Sequence, residues 1–535
     1  MNALLISNSG LRFFVVALLV ATFALMSSVN TAEAKPVANR PNIILIMVDD
    51  MGWSDIGCYG GGVKTPNLDR LASDGLRFTQ FYNNAKCTTT RVSILTGLYP
   101  RNGGRGIDKL LTPEMMTVAE ALKNLGYQTA LSGKWHLGQK APNRPIDRGF
   151  DAYYGLMDGC CNCVNPTQPD PPFKGGRTRV FGHNDQIIRG PFPEGYYTTD
   201  AFTDHAIETV RQFARKPQPF LLHVSYTAPH YPLQAKTEDI AKYKGKYRSG
   251  CQAIRQQRHR RLVEMGLIDP RWQMVGHDPK AYDWTESDQE WESRRMATYA
   301  AMIDSMDQNI GRILQTLERL NILDKTAIFF LSDNGGCAEE PGGRDTSQQP
   351  GLQNTYTAVG PSWAMAQNTP FRRYKSQMYE GGIATPMIAY WPSVIQAGTV
   401  TDQVGHIIDF MPTFLEMANR EMEAGKPKDT FTTAEKWHLP IEGLSLLPIL
   451  KGQKRPPHQT LYWHFSGSKA IRQGRWKLVW DKWSKQWELF DVIADRTEHN
   501  NQIDQFPNRA KKMQAAYQRW AVQTRVEKLT FTDQN

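Results

Sequence analysis

Five short apolar runs, each ending in polar residues and each followed by a helical pattern, set the tightest limit on how this chain folds. They cover residues 43–48, 127–131, 220–226, 327–331 and 386–390. Apolar runs of this length read as strands buried on both faces, and helices between them make the sheet mostly parallel. Helical patterns fall at 67–74, at 117–125 (apolar at Val118, Ala121, Leu122 and Leu125) and at 298–320. The expected class is therefore α/β: a large mixed, mostly parallel sheet flanked by helices. Residues 232–295 form an insertion rich in Lys, Arg, Trp and Tyr, read as cleft wall or surface, and the polar, Gly/Pro-rich stretch 341–366 reads as a long loop. After a helix near 409–420, residues 421–440 are linker-like. The tail then alternates as antiparallel strands at 460–465, 469–472, 476–480 and 487–490, before a last helix at 507–523. This divides the chain into a catalytic-sized domain at 35–425 and a smaller C-terminal α+β domain at 426–535, with no internal repeat.

The N-terminus carries an address. Residues 13–25 are an uninterrupted run of apolar and small residues behind Arg12, and a polar stretch follows, ending in Ala32-Glu33-Ala34, an A-x-A cleavage pattern. A run of this length is short of the about 20 residues that span a bilayer. Residues 1–34 are expected to be a secretory signal, which makes the protein periplasmic or secreted, with no stable membrane span. Lys plus Arg exceed Asp plus Glu by 63 − 53 = 10. That excess suits an anionic partner such as a sulfated or phosphorylated polymer, a membrane surface or nucleic acid, and by itself selects none of them. No nucleic-acid-binding motif accompanies it, so nucleic acid is not expected as a partner. The cluster Lys242, Lys244, Lys246, Arg248, Arg255, Arg258, Arg260 and Arg261 reads either as a solvated helical face or as a strip for an anionic polymer.

Seven cysteines, an odd number, leave at least one with a job other than pairing. Cys160-Cys161-Asn162-Cys163 has no His within ten residues on either side, so it reads as buried or disulfide-linked rather than as a metal site.

Chemistry gathers where the strands end, which in open α/β sheets is where ligands bind. The first strand stops at Asp49-Asp50; the second leads into Lys134-Trp135-His136; the third into Ala228-Pro229-His230; the fourth stops at Asp333-Asn334-Gly335-Gly336. In a parallel sheet these groups share one edge. Asp49, Asp50, Asp333 and Asn334 offer only oxygen ligands, which select Ca²⁺ or Mg²⁺, and Ca²⁺ is favoured in an exported protein. Taken singly, either pair also reads as a helix cap or turn. Cys87-Thr88-Thr89-Thr90-Arg91 opens a helix that the apolar spacing carries to Gly97, with Cys87 and Arg91 on one face. A nucleophile beside an Arg at a helix N-terminus suits attack on a sulfate or phosphate ester. Spacing alone favours a buried structural cysteine.

Seven blocks in order resemble the sulfatase family of the alkaline-phosphatase superfamily, in particular bacterial arylsulfatases. They are Pro41 to Gly52, Thr65 to Ala72, Cys87 to Gly97, Gly133 to Gly138, Ala228-Pro229-His230, Ser332 to Gly336, and Lys375 with Glu380-Gly381-Gly382. The tail, with Ala470-Ile471-Arg472 and Trp487 to Asp491, is similar to that of bacterial arylsulfatases, so the resemblance spans nearly the whole mature chain.

The resemblance implies a sulfuric ester hydrolase acting on a sulfated small molecule or carbohydrate. It implies that Cys87 is oxidised to formylglycine by a maturase during export. One hydroxyl of the hydrated aldehyde then attacks sulfur, and the resulting sulfated hemiacetal eliminates sulfate. It also implies one Ca²⁺ on Asp49, Asp50, Asp333, Asn334 and residue 87, and a cationic clamp of Arg91, Lys134 and Lys375. His136 would assist release of sulfate, and His230 with Lys375 would protonate the leaving alcohol. The motif departs from the family at Thr89 and Thr90, where Pro and Ser are usual. Two alternatives stay open: a phosphodiester or phosphonate monoester hydrolase of the same superfamily, and a catalytically silent sulfated-glycan binding protein.

Overall fold

The computed structural model describes residues 40–101, 110–276, 278–427, 432–433, 436–437 and 439–526. The expected signal at 1–34 lies outside the described residues. Strand β1 (Asn42–Val48) is buried along nearly its whole length because it separates two cores. Ile44, Ile46 and Val48 enter one apolar cluster, while Ile43, Leu45 and Met47 enter the other. That alternation places the strand at the middle of a helix–sheet–helix sandwich, as the unbroken apolar run requires.

The remaining strands of the main sheet are β2 (Leu76–Phe78), β3 (Gln128–Gly133), β4 (Ala152–Leu156), β5 (Phe181–His183), β6 (Gln186–Ile188), β7 (Phe220–Ser225), β8 (Thr326–Ser332), β9 (Met387–Tyr390) and β10 (Thr399–Thr401). Their spatial order is β10-β2-β9-β8-β1-β7-β3-β4-β5-β6. Strand β1 runs parallel to both neighbours, with Ile43 opposite Leu221 on β7 and Ala327 on β8. Strand β3 is parallel to β7 and to β4, so the carboxyl ends of β1, β3, β7 and β8 share one edge. Strand β9 is antiparallel to β8, which makes the sheet mixed.

Helices α1 (Pro66–Ser73), α2 (Cys87–Thr96), α3 (Val118–Asn124), α4 (Thr198–Phe213), α5 (Gly250–Glu264) and α6 (Gln289–Arg319) appear in that order. They are followed by a short α7 (Glu380–Ile383), then α8 (Phe410–Met417) and α9 (Pro507–Gln523). The helix expected at 298–320 starts nine residues earlier, where Asp288 accepts from the Trp291 N–H and caps it. Its first turns hide their periodicity because Arg295 is buried in ion pairs with Glu292 and Glu340. The loop expected at 341–366 runs into a helix, Gly360–Gln367. The linker-like stretch contains a small hairpin, Met422–Glu423 against Lys426–Pro427.

Part of the basic cluster of the insertion is spent on internal pairs, while Lys244, Lys246 and Arg260 are exposed. Lys242 pairs with Asp239 and Asp304, and Arg248 with Glu290. Arg258 is buried against Asp55 at 2.7 Å, and buried Arg255 donates to the Val275 carbonyl. Arg255 and Arg258 tie α5 to the rest of the molecule.

At the C-terminal end, β11 (Leu461–Phe465), β12 (Ser468–Gln473), β13 (Trp476–Asp481) and β14 (Gln486–Asp491) form an antiparallel meander. Helix α9 covers it through Met513, Tyr517 and Trp520. All seven cysteines are buried and free. Among the described residues no helix is long and apolar enough to cross a membrane.

Candidate active site

The site is built at the shared strand edge. Strand β1 delivers Asp49 and Asp50, β8 delivers Asp333 and Asn334, β3 leads to Lys134 and His136, and β7 ends at Ser225 before the loop bearing His230. Helix α2 starts at Cys87 and stops where Gly97 takes φ +67°, its N–H closing on the Ser93 carbonyl. Lys375 comes from the loop before α7.

Five non-glycine residues around the site adopt left-handed backbone: Asp50, Ala85, His136, Arg373 and Ser376. Each such residue costs on the order of 1–3 kcal/mol and persists only where surrounding contacts impose it. Gly335 shows how tight those contacts are, since a Cβ there would lie 1.8 Å from the Gly381 carbonyl oxygen. A Cβ at Gly159 would lie 2.6 Å from the His136 ring.

Charges interlock across the site. Lys134 Nζ donates to Asp49 Oδ2 at 2.6 Å, and Lys375 Nζ to Asp50 Oδ2 at 2.7 Å. Arg91 donates to Asp333 Oδ2 at 2.9 Å, to Ser225 Oγ at 2.5 Å and to the Lys134 carbonyl at 2.8 Å. Asn334 Nδ2 donates to Asp50 Oδ1, and the Asp50 N–H reaches Asp333 Oδ1. His230 Nε2 stands 3.4 Å from Asp50 Oδ2, and its Nδ1 lies 2.6 Å from the Tyr231 carbonyl. Cys87 Sγ lies 3.5 Å from His136 Nδ1.

Burial sets the protonation states. It pushes Asp49 up to about 6, with Lys134 opposing, so this carboxyl is still ionised at neutral pH. Burial also works against Asp50, but His230 and Lys375 overcome it and hold Asp50 below the usual carboxylate range. Burial works against the Lys375 ammonium, but Asp50, Cys337 and Glu339 together raise it well above its ordinary value. Burial lowers His230 to about 4, and it lowers His136 well below its ordinary value with help from Lys134 and Arg91. Both imidazoles are therefore neutral at pH 7.

Two buried oxygens in this web, Asp49 Oδ1 and Asn334 Oδ1, have no hydrogen-bond partner among the described residues. Oxygens of Asp49 and Asp333 cluster with Cys87 Sγ within 4.8 Å of one another, and Asp49, Asp50 and His230 form a second such group. Orphaned buried acceptors in an all-oxygen carboxylate and amide set fit a hard cation.

The structure brings together all of the residues singled out from the sequence: Asp49, Asp50, Cys87, Arg91, Lys134, His136, His230, Asp333, Asn334 and Lys375. It also places residues that the sequence reading missed. Glu339 accepts from Lys86 Nζ at 2.9 Å and from the Tyr231 hydroxyl at 2.6 Å, and Lys375 helps hold it ionised. It is an acid six residues past Asp333, just before the stretch read as a loop. Ser225, the polar last residue of an apolar strand, was legible and was passed over. Thr90 Oγ1 accepts from the Asn84 N–H at 3.0 Å and donates to the Asp333 carbonyl at 2.6 Å, tying α2 to the end of β8. Thr89 Oγ1 donates to the Asn84 and Lys86 carbonyls, 2.9 Å from each.

Comparison with known proteins fits this architecture. The family model described as Sulfatase matches residues 41–420, and one described as N-sulphoglucosamine sulphohydrolase, C-terminal, matches residues 372–525. The arylsulfatase of Klebsiella aerogenes is 30% identical over 451 residues, covering 78% of this chain and 93% of its own. Human N-acetylgalactosamine-6-sulfatase is 28% identical over 479 residues, covering 84% of this chain and 73% of its own. The crystal structure of Ps i-CgsB in complex with k-i-k-neocarrahexaose superposes with a TM-score of 0.64 at 26% identity, covering 90% of this chain and 93% of its own. The chain belongs to the sulfatase family. Its activity is that of a sulfatase, the hydrolysis of sulfuric esters.

Proposed function

We propose that the protein hydrolyses sulfate monoesters of carbohydrates, that Cys87 acts in its formylglycine form, and that one Ca²⁺ binds Asp49, Asp50, Asp333, Asn334 and residue 87. The observation that carries this reading is the position of Cys87: at the head of α2, 3.5 Å from His136 and clustered with the Asp49 and Asp333 carboxylates beside two orphaned oxygens. When bound, Ca²⁺ supplies Lewis-acid stabilisation of charge on the sulfate oxygens. Hydrated formylglycine supplies the attacking hydroxyl, and a second hydroxyl that lets sulfate depart.

The chain's own residues do the rest. Arg91 is locked by three acceptors, so its guanidinium costs little reorganisation as charge develops. Lys134 and Lys375, both held cationic, complete the clamp. Asp49, Asp50 and Asp333 balance Arg91, Lys134 and Lys375 in charge, so a divalent ion leaves a net positive site that attracts an anionic ester. His136, neutral and with Nδ1 toward residue 87, accepts the proton whose loss lets sulfate leave. His230 commits its Nδ1–H to the Tyr231 carbonyl, so Nε2 of the neutral ring is an acceptor, and the proton for the leaving alcohol comes from the Lys375 ammonium beside it, directly or relayed through Nε2. A carbohydrate substrate is supported by the names of the relatives and by the oligosaccharide in the superposing structure. Residues 1–34 act as a secretory signal in this reading, with maturation by a formylglycine-generating maturase during export and action at or beyond the membrane.

The test is a matched set of nitrophenyl sulfate, phosphate monoester, phosphate diester and phosphonate, followed by sulfated sugars. The expected order puts sulfates first in kcat/KM. A phosphodiester or phosphonate turned over faster than any sulfate would assign the protein to the phosphodiester and phosphonate hydrolases. Glycan binding with no turnover of any ester would make it a binding protein.

A further inference from the structure

Lys375 sits on an arc whose conformation its own residues do not favour. Arg373 and Ser376 flank it at φ +67° and +69°. Three contacts hold the arc from the catalytic side: Lys375 N–H to the Gly336 carbonyl at 3.1 Å, Ser376 N–H to the Ala85 carbonyl at 2.7 Å, and Asn368 Nδ2 to the Arg373 carbonyl at 3.1 Å. Arg373 also pairs with Asp278 of the insertion, and a further grip comes from the C-terminal sheet. Glu488, on β14, accepts from Arg372 through Oε1 at 3.3 Å and from the Tyr379 hydroxyl through Oε2. One carboxylate thus fastens the arc three residues before Lys375 and four residues after it. The Arg372 guanidinium also lies 4.4 Å over the Tyr379 ring, closing the loop at its base.

Behind this staple is a fully buried charge network. Glu380 accepts from Lys477 at 2.9 Å, from Arg496 at 2.7 Å and from the Tyr82 hydroxyl at 2.9 Å. Its N–H donates to Glu498 Oε2 at 2.7 Å, and Lys477 also pairs with Glu498 at 2.8 Å. Lys477, Arg496 and Glu498 all belong to the C-terminal sheet or the turn after it.

We infer that Glu488 is a positioning residue for the reaction: the C-terminal sheet staples both ends of the arc 372–379 and thereby sets where the Lys375 ammonium stands. The inference rests on the proposed role of Lys375 beside the leaving group. The C-terminal sheet is then a working part of the active site, and a substitution far from the ester changes the chemistry of departure.

The experiment uses the full-length, matured enzyme and a graded series of aryl and alkyl sulfates. Glu488→Ala should lose about 10- to 100-fold in kcat/KM on poor leaving groups, the scale of an ångström-level misplacement, and far less on activated nitrophenyl sulfate. Tyr379→Phe, which removes one hydroxyl, should show the same trend more weakly and serves if Glu488→Ala does not fold. Arg475→Ala, on the same sheet but outside the arc, should leave the series unchanged. In a Lys375→Ala background, Glu488→Ala or Tyr379→Phe should add little further loss. Equal losses across the whole series, or full additivity with Lys375→Ala, would overturn the inference. Lys375→Ala alone reports separately on the proposed role of Lys375. If it shows no leaving-group dependence, that role falls, while additivity or its absence still decides whether Glu488 acts through Lys375.

Discussion

Thr90→Val removes one hydroxyl and leaves shape and β-branching intact. The hydroxyl is buried and spans two elements, accepting from the Asn84 N–H at 3.0 Å and donating to the Asp333 carbonyl at 2.6 Å. Asn84 and Asp333 are themselves buried, so water cannot replace it. A buried group left unpaired costs about 1–3 kcal/mol, so two of them amount to about 2–6 kcal/mol of stability. Asp333 also anchors Arg91 and belongs to the oxygen cluster, so a slack Thr90 contact should lower kcat/KM by about 10- to 100-fold. Thr90→Ser keeps the hydroxyl and loses one methyl, about 0.8 kcal/mol, with activity nearly retained. Urea unfolding followed by tryptophan fluorescence, with steady-state rates on nitrophenyl sulfate, measures both quantities. A Val variant as stable and as active as the parent would refute the reasoning, as would a Ser variant as damaged as Val.

Asp333→Ala should lose both bound Ca²⁺ and activity, read by metal analysis of the dialysed protein; full Ca²⁺ content in the variant would contradict the assignment. His230→Ala should hurt alkyl sulfates more than activated aryl sulfates, and equal losses on both would remove its role at the leaving group. The share of stability carried by the buried imidazoles should fall on acidification between about pH 6.5 and 4, while carboxyls that burial raises, Asp49, Asp307, Glu340 and Glu498, act in the opposite direction. Burial lowers His205 and His223 to about 4 and His406 to about 3, so the unfolded chain takes up protons that the folded chain refuses. Each group contributes about 1.4 kcal/mol per pH unit in that window, so the parent should lose stability relative to His223→Gln by about that slope; a parent-to-variant difference that stays constant from about pH 6.5 to 4.5 would count against it.

Strands β1, β7 and β8 were legible in the sequence because a strand between two cores must be apolar on both faces. Strands β5 and β6 were missed because an edge hairpin has one face exposed and no such run: Gln186 and Ile187 are exposed. The start of α6 was missed because Arg295 is buried as a salt-bridged charge, which inverts the usual apolar period. The ligand cluster was legible because parallel strands bring their ends together whatever lies between them. Glu339 and Glu488 were not, since each acts through a contact made by distant loops, and nothing in local spacing marks a residue for such a partner. The basic run at 242–261 was legible in part: Lys244, Lys246 and Arg260 are exposed, as a solvated face requires, while Arg258 and Lys242 are spent on Asp55, Asp239 and Asp304, partners no local spacing marks.

The most direct measurement is the mass of the tryptic peptide bounded by Lys86 and Arg91, residues 87–91, taken from protein whose sulfatase activity has been measured on the same sample. The prediction is an aldehyde or its hydrate at residue 87 in place of the thiol, in a fraction that rises and falls with specific activity, and no turnover in Cys87→Ala. Full activity from protein in which residue 87 is entirely unmodified cysteine would contradict it.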